Sequence, residues 1–133
     1  MSVAAAIVDG DRVLAIRRRD NDKWEPPGGT LEPNETIVDG LEREVREELG
    51  IRISNPRLTG VYKNLPRGVV ALVFRCDHNG EVPQRSSEVS EYEWLTKKEV
   101  VSRLDPAYAC RLLDAFEIGN PAVRSHDGVE VLG

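Results

Sequence analysis

Three glutamates stand at positions 44, 47 and 48 of the stretch "LEREVREELGI", Leu41 to Ile51. On a helix they are i, i+3 and i+4 neighbours, where like charges meet on one face and cost roughly a few tenths of a kcal/mol per pair. Glu47 and Glu48 also precede Gly50, a helix stop, and carboxylates are disfavoured at that carbonyl end of the macrodipole. Carboxylates that converge without a matching basic cluster call for a hard cation, and their oxygens suit Mg²⁺ or Mn²⁺. Mg²⁺ held this way commonly takes substrate phosphates as well, which points to water attacking phosphorus. Arg43, four residues before Glu47, is placed to pair with and orient that carboxylate.

Other residues suit the same chemistry. In "WEPPGGT", Pro26 and Pro27 stiffen the chain, so that Gly28 and Gly29 can turn and bring the backbone close to a phosphate. Arg17, Arg18 and Arg19 close a strand-like segment; by alternation either Arg17 and Arg19 together, or Arg18 alone, would reach substrate, and guanidinium suits bidentate phosphate contact. Lys23, Lys63 and Tyr62 are weaker candidates, and Trp24 and Trp94 read as packing anchors. His78 and His126 lack zinc-ligand spacing and read as surface residues. No Walker A, GxGxxG or Ser-His-Asp signature competes.

The elements that must position these groups follow from periodicity. From Glu35 or Thr36 to Leu49, Val38, Leu41, Val45 and Leu49 form one apolar stripe, flanked by the arc of glutamates. When the stripe packs on a sheet, the carboxylates point into the edge of the groove beside it. Segments 2–8 and 12–19 read as a hairpin around Asp9-Gly10, and 20–35 as a long ordered loop anchored by Trp24 and Leu31. "RLTGVYK", "GVVALVFRC" and "EYEWLTK" read as strands, the last with Tyr92 and Trp94 on one face. Thr96 and Asp105 are N-caps of one or two C-terminal helices, with Pro106 at a first helical position. Val100, Val101, Leu104, Leu112, Leu113 and Phe116 should face the core, and the polar tail from Gly119 should be loosely held.

Composition bounds the rest. A chain of 133 residues, 40% hydrophobic and 31% charged, fits one soluble domain, with a core over about 2–118 and a tail over 119–133. Two distant cysteines, Cys76 and Cys110, make no disulfide framework, and the N-terminus lacks a basic segment and a long apolar run; a reducing cytoplasmic setting is expected. No stretch approaches a membrane span. The formal charge of −5 argues against a nucleic-acid-binding surface, whereas an anionic small molecule can still bind through a metal ion.

Gly29, Glu35 and "REVREELGI" from Arg43 to Ile51 fill every fixed position of the Nudix box, GX5EX7REUXEEXGU with U aliphatic. The sequence therefore resembles the Nudix hydrolase family, as a small MutT-like domain. The resemblance implies an α/β fold: an α/β/α sandwich with a mixed central sheet and a loop-helix-loop motif. It implies Mg²⁺-dependent hydrolysis of a nucleoside diphosphate linked to another group, with a homodimer allowed. Carried over by position, Glu44, Glu47 and Glu48 would be metal ligands, Glu44 or Glu48 would activate water, and Arg43 would orient the glutamates. Glu35 and Gly50 would serve the motif's structure, and a further glutamate, Glu88 rather than Glu91, would join the metal. Asn34 and Gly40 depart from the commonest pattern, which has glycine and alanine there. The resemblance leans towards (d)NTP substrates, including oxidised ones. Pro66, about 15 residues past the box, is instead a mark of ADP-ribose-type pyrophosphatases. A non-catalytic nucleotide sensor would be expected to have lost box glutamates, and all are present.

Overall fold

The computed structural model describes residues 1–133. In chain order the elements are β1 (Ser2–Asp9), β2 (Arg12–Arg18), β3 (Trp24–Glu25), β4 (Gly28–Thr30), α1 (Ile37–Leu49), β5 (Ser54–Asn64), β6 (Val69–Asp77), β7 (Val89–Thr96), α2 (Lys97–Arg103), α3 (Pro106–Leu113) and β8 (Ala122–His126). One mixed sheet runs β3-β2-β1-β6-β5-β8, with β4 added on β1 and β7 on β2. The β1–β6 and β5–β8 pairs are parallel and the others antiparallel.

β1 is apolar at every position from Val3 to Val8 because both of its faces are covered. Val3, Ala5 and Ile7 pack with Leu41, Val45 and Leu49 of α1. Ala4, Ala6 and Val8 face Val100, Leu104, Ala109 and Leu112, in and around α2 and α3. Period-two alternation thus gives one strand two cores and the molecule its α/β/α layering. No helix is long and apolar enough to cross a membrane.

The segment expected as a single loop carries two short strands, β3 and β4. Their pairing is invisible in sequence because it depends on close approach to β1: a Cβ on Gly28 would lie 2.1 Å from the Val3 carbonyl oxygen. In α1, Thr36 Oγ1 accepts from the Asp39 N–H, and Gly50 at φ +68° closes the C-terminus. Val38 is exposed rather than part of the stripe, and Val101 is exposed likewise. The buried face of α1 is instead the column Leu41, Val45, Leu49 beside the column Gly40, Glu44, Glu48.

The tail is not loosely held. β8 lies parallel to β5, from Gly60 opposite Ala122 to Asn64 opposite His126. Arg124 makes a bidentate pair with Asp114 at 2.8 Å on both arms, and Asp114 also accepts from the Tyr62 hydroxyl at 2.7 Å. His126 is 1% exposed, not a surface residue. Sequence missed the strand because its inward residues are polar and satisfied by partners from α3 and the turn after it, so no apolar alternation marks them. His78 is also enclosed, hydrogen-bonded to the Glu81 carbonyl and set against the Trp94 ring. Replacing Arg124 with alanine should lower the unfolding free energy by about 1 kcal/mol in urea denaturation, because Asp114 keeps its tyrosine partner and the pair is partly exposed.

Candidate active site

A cleft of about 550 Å³ opens beside the C-terminal half of α1. Its walls are the β4 backbone, Glu44, Glu47 and Glu48 from α1, Arg18 to Asp20 beyond β2, and Ser87 with Glu88 before β7. Helix spacing brings the three box glutamates to one cleft, but unequally: Glu48 is 5% exposed and Glu44 9%, while Glu47 stands in solvent.

Arg43 organises the acidic wall with all five of its N–H donors. Nε and Nη2 clamp Glu35 at 2.9 and 2.6 Å. Nη1 reaches Glu44 at 3.0 Å and Glu47 at 3.2 Å, and Nη2 also bonds the Thr30 carbonyl at 3.2 Å. Glu35 in turn accepts from the Glu32 N–H at 2.8 Å. Arg43 first, then that backbone bond, hold the Glu35 carboxyl down at about 2.

Glu48 is governed by opposite forces. Its Oε1 accepts from the Gly28 N–H at 2.7 Å, which favours the charged form. Burial outweighs this, and with the charges of Glu44, Glu88 and Glu25 pushes the carboxyl up to about 8. Glu44 is raised too, chiefly by burial and against Arg43, with further push from Glu47 and Glu88.

The donor set is hard oxygen throughout, and it suits Mg²⁺ or Mn²⁺. The wall leaves room for nothing bulkier than glycine opposite: a Cβ at Gly29 would lie 2.5 Å from the Glu44 carboxyl. The carboxylates share the cleft, but no three of them share one coordination position. Each turns towards an N–H donor of its own, Glu44 and Glu47 to Arg43 and Glu48 to Gly28.

Of the other expected residues, Gly28, Gly29, Arg19 and Glu88 line the cleft. Arg19 ties the strand end to the β7 approach by donating to the Ser86 carbonyl at 2.8 Å. Glu91 lies elsewhere, 3.7 Å from Arg17. Arg17 is a correction: it is engaged by Asp22 and Glu91 away from the cleft, and Arg18 lines it instead. A register shift in the β2–β7 pairing at Arg17/Arg18 breaks the alternation that had grouped Arg17 with Arg19. Lys23 pairs with Asp105 at 2.7 Å, and Tyr62 is buried on Asp114. Gly40 is explained by packing, as a Cβ there would strike Leu31 at 2.3 Å.

Sequence reasoning missed a second cavity of about 240 Å³ on the other side of β4, lined by Glu25, Asn64, Tyr108 and Arg111 among others. Its one available signal was an arginine, Arg111, on the face of α3 that buries Ala107 and Leu112. Gly28, Gly29, Thr30 and Arg18 belong to both cavities.

The model of the NUDIX domain family matches residues 1–114. A MutT-like protein of Streptomyces ambofaciens is 54% identical over 133 residues, covering 99% of this chain and 86% of that one. An ADP-ribose pyrophosphatase of Methanocaldococcus jannaschii is 32% identical over 103 residues, 68% of this chain and 61% of that one. The crystal structure of a MutT NUDIX hydrolase from Burkholderia pseudomallei superposes with a TM-score of 0.74 at 25% identity, covering 85% of this chain and 95% of that one.

Two outcomes test the geometry. Gly29→Ala should displace the Glu44 carboxyl and lower activity by about 10²-fold while the melting temperature stays near that of the parent, since sub-ångström placement carries catalysis. In EDTA the folded state holds more protons than the unfolded chain between the usual 4.5 and about 8 because Glu48 is raised. The melting temperature should therefore fall as pH rises through that window, and Glu48→Gln should flatten the slope; an unchanged slope would remove Glu48 as its source.

Proposed function

The chain belongs to the Nudix family, and from that premise we propose that it hydrolyses a pyrophosphate bond of a nucleoside or deoxynucleoside triphosphate, in the MutT-like manner. As a Nudix hydrolase it is a pyrophosphohydrolase acting on small nucleotide substrates. The observation that carries it is the junction at β4. An acidic cleft suited to cation-bound phosphates adjoins a compact cavity lined by both apolar and hydrogen-bonding side chains, an arrangement that suits a phosphate chain with a nucleoside at one end.

Glu44, Glu47 and Glu48, with Glu88 from the β7 approach, would hold Mg²⁺ or Mn²⁺. When bound, the ion supplies neutralisation of phosphate charge and activation of the attacking water. The protein's own groups do the remaining work. Arg43 orients Glu44 and Glu47 through Nη1, and its bonds to Glu35 and the Thr30 carbonyl tie the helix to β4. Glu48, fixed by the bond its carboxylate accepts from the Gly28 N–H, is the glutamate we assign to take the proton of the attacking water. Arg18 and Arg19 offer guanidinium groups to the phosphate end.

An ADP-ribose substrate is the second reading. Pro66 lines neither cavity, but its neighbours around the β5–β6 turn, Asn64, Arg67 and Val69, line the second one. A sensor reading has no support, since every box glutamate is present and held in place.

The test is phosphate or pyrophosphate release from dNTPs, NTPs, 8-oxo-dGTP, ADP-ribose, sugar nucleotides and dinucleoside polyphosphates, with Mg²⁺ or with EDTA. Metal-dependent turnover should be highest on triphosphates, and Glu48→Gln should lower kcat by at least about 10²-fold. Preference for ADP-ribose would sink the substrate assignment, and near-normal Glu48→Gln activity would sink the role of Glu48.

A further inference from the structure

Arg111 is the least satisfied polar group in the molecule. It is 8% exposed, and its Nε is the one buried side-chain nitrogen or oxygen without a hydrogen-bond partner. The guanidinium lies 5.4 Å from the Tyr62 ring centre and 4.7 Å from that of Tyr108, a seat that fixes its plane and offers no hydrogen-bond acceptor along its edge. Its Nη2 sits 3.1 Å from His126 Nε2, while the Gly128 N–H donates to Nδ1 of the same ring at 3.0 Å. Burial and the charge of Arg111 both lower the His126 pKa, so the ring is neutral and has one acceptor nitrogen for two donors. Arg111 or Gly128 is left short.

Glu25 is close enough to favour this charge but makes no hydrogen bond with it. Glu25 is the one acid lining the cavity, and its Oε1 is already taken by Arg18 at 3.1 Å. A buried guanidinium short of acceptors is costly unless something brings acceptors to it. The cavity it lines shares Arg18 and Gly28 to Thr30 with the phosphate cleft.

The rest of the cavity says what kind of acceptor fits. Val3 and Ala4 on β1, Val69 and Ala71 on β6, and Tyr108 on α3 give the cavity one apolar side, against which a planar base can lie, opposite polar groups that include Glu25, Asn64, Arg67 and Arg111. A guanidinium fork matches two adjacent acceptors, the O6 and N7 of a 6-oxopurine. Adenine presents N7 beside an amino donor and would set donor against donor.

We propose that Arg111 is the specificity-determining residue of this enzyme, and that it selects nucleotides carrying a 6-oxopurine base, guanine or hypoxanthine, over adenine. The inference rests on the nucleotide reading of the cleft above. Arg111 is held ready by Tyr62, Tyr108 and a ring from β8, a strand that lies beyond the residues matched by the family. Glu25, on the same wall, keeps its second carboxylate oxygen for the N1–H that both bases share.

Calorimetric binding of GMP, IMP and AMP in EDTA tests this without turnover. GMP and IMP should bind at least about 10-fold more tightly than AMP, the scale of one bidentate base contact. Arg111→Gln should bring all three within about twofold by weakening GMP and IMP alone, and Arg111→Lys, which keeps the charge but loses the planar fork, should do nearly the same. With Mg²⁺, the discrimination between GTP or ITP and ATP should lie in KM rather than kcat. Equal affinities in the parent protein would overturn the proposal, as would an equal loss for all three nucleotides in a folded Arg111→Gln variant. If Arg111→Gln does not fold, Arg111→Lys takes its place, and a preference for GMP and IMP kept in full by that variant would overturn the proposal. Absence of triphosphate turnover with GMP and IMP still preferred would count against the triphosphate reading and leave this inference standing.

Discussion

The site depends on one guanidinium. Arg43 stands in the middle of a helix face that carries more negative charge than a helix tolerates, and its planar fork can bond several carboxylates at once. A lysine would bring charge without the fork, and the two-point grip on Glu35 would be lost. Because Arg43 also bonds the Thr30 carbonyl, it joins the helix to β4, and β4 forms the floor of both cavities. Charge balance, helix position and cleft shape therefore share one residue.

Close packing around β1 is the second constraint. Three consecutive alanines, Ala4 to Ala6, keep the central strand thin, so that helices cover both of its faces and β4 lies along its edge. Gly28 and Gly29 answer the same need on the other side, where Cβ atoms would enter the β1 backbone and the Glu44 carboxyl. The backbone can then approach close enough for the Gly28 N–H to hold Glu48.

The two cavities that meet at β4 have opposite electrical character. One is walled by four glutamates and answers to a cation; the other contains a buried arginine and answers to an acceptor. Arg18, paired with Asp20 and Glu25, stands where they join. A ligand with phosphates at one end and a carbonyl-bearing ring at the other satisfies both, and neither end alone accounts for both.

Much of this was legible before any coordinates. The box from Gly29 to Ile51 encodes the helix, its cap, the acidic arc and Arg43 within 23 residues, because those contacts are local and fixed by the 3.6-residue repeat. The apolar strands and the helix cap at Thr96 are local signals too, whereas Asp105 heads α3 without a side-chain cap bond and pairs with Lys23 instead. Tertiary structure alone decided that Arg18 rather than Arg17 faces the cleft, since a register shift against β7 overrode alternation. It alone placed β8, whose inward side chains are polar and are satisfied by Asp114 and Arg111 far from them in sequence. The same distance hid the second cavity, built from β1, β6 and α3. Hydrophobic periodicity records which residues leave water, but it carries no record of which distant partner a buried charge will meet.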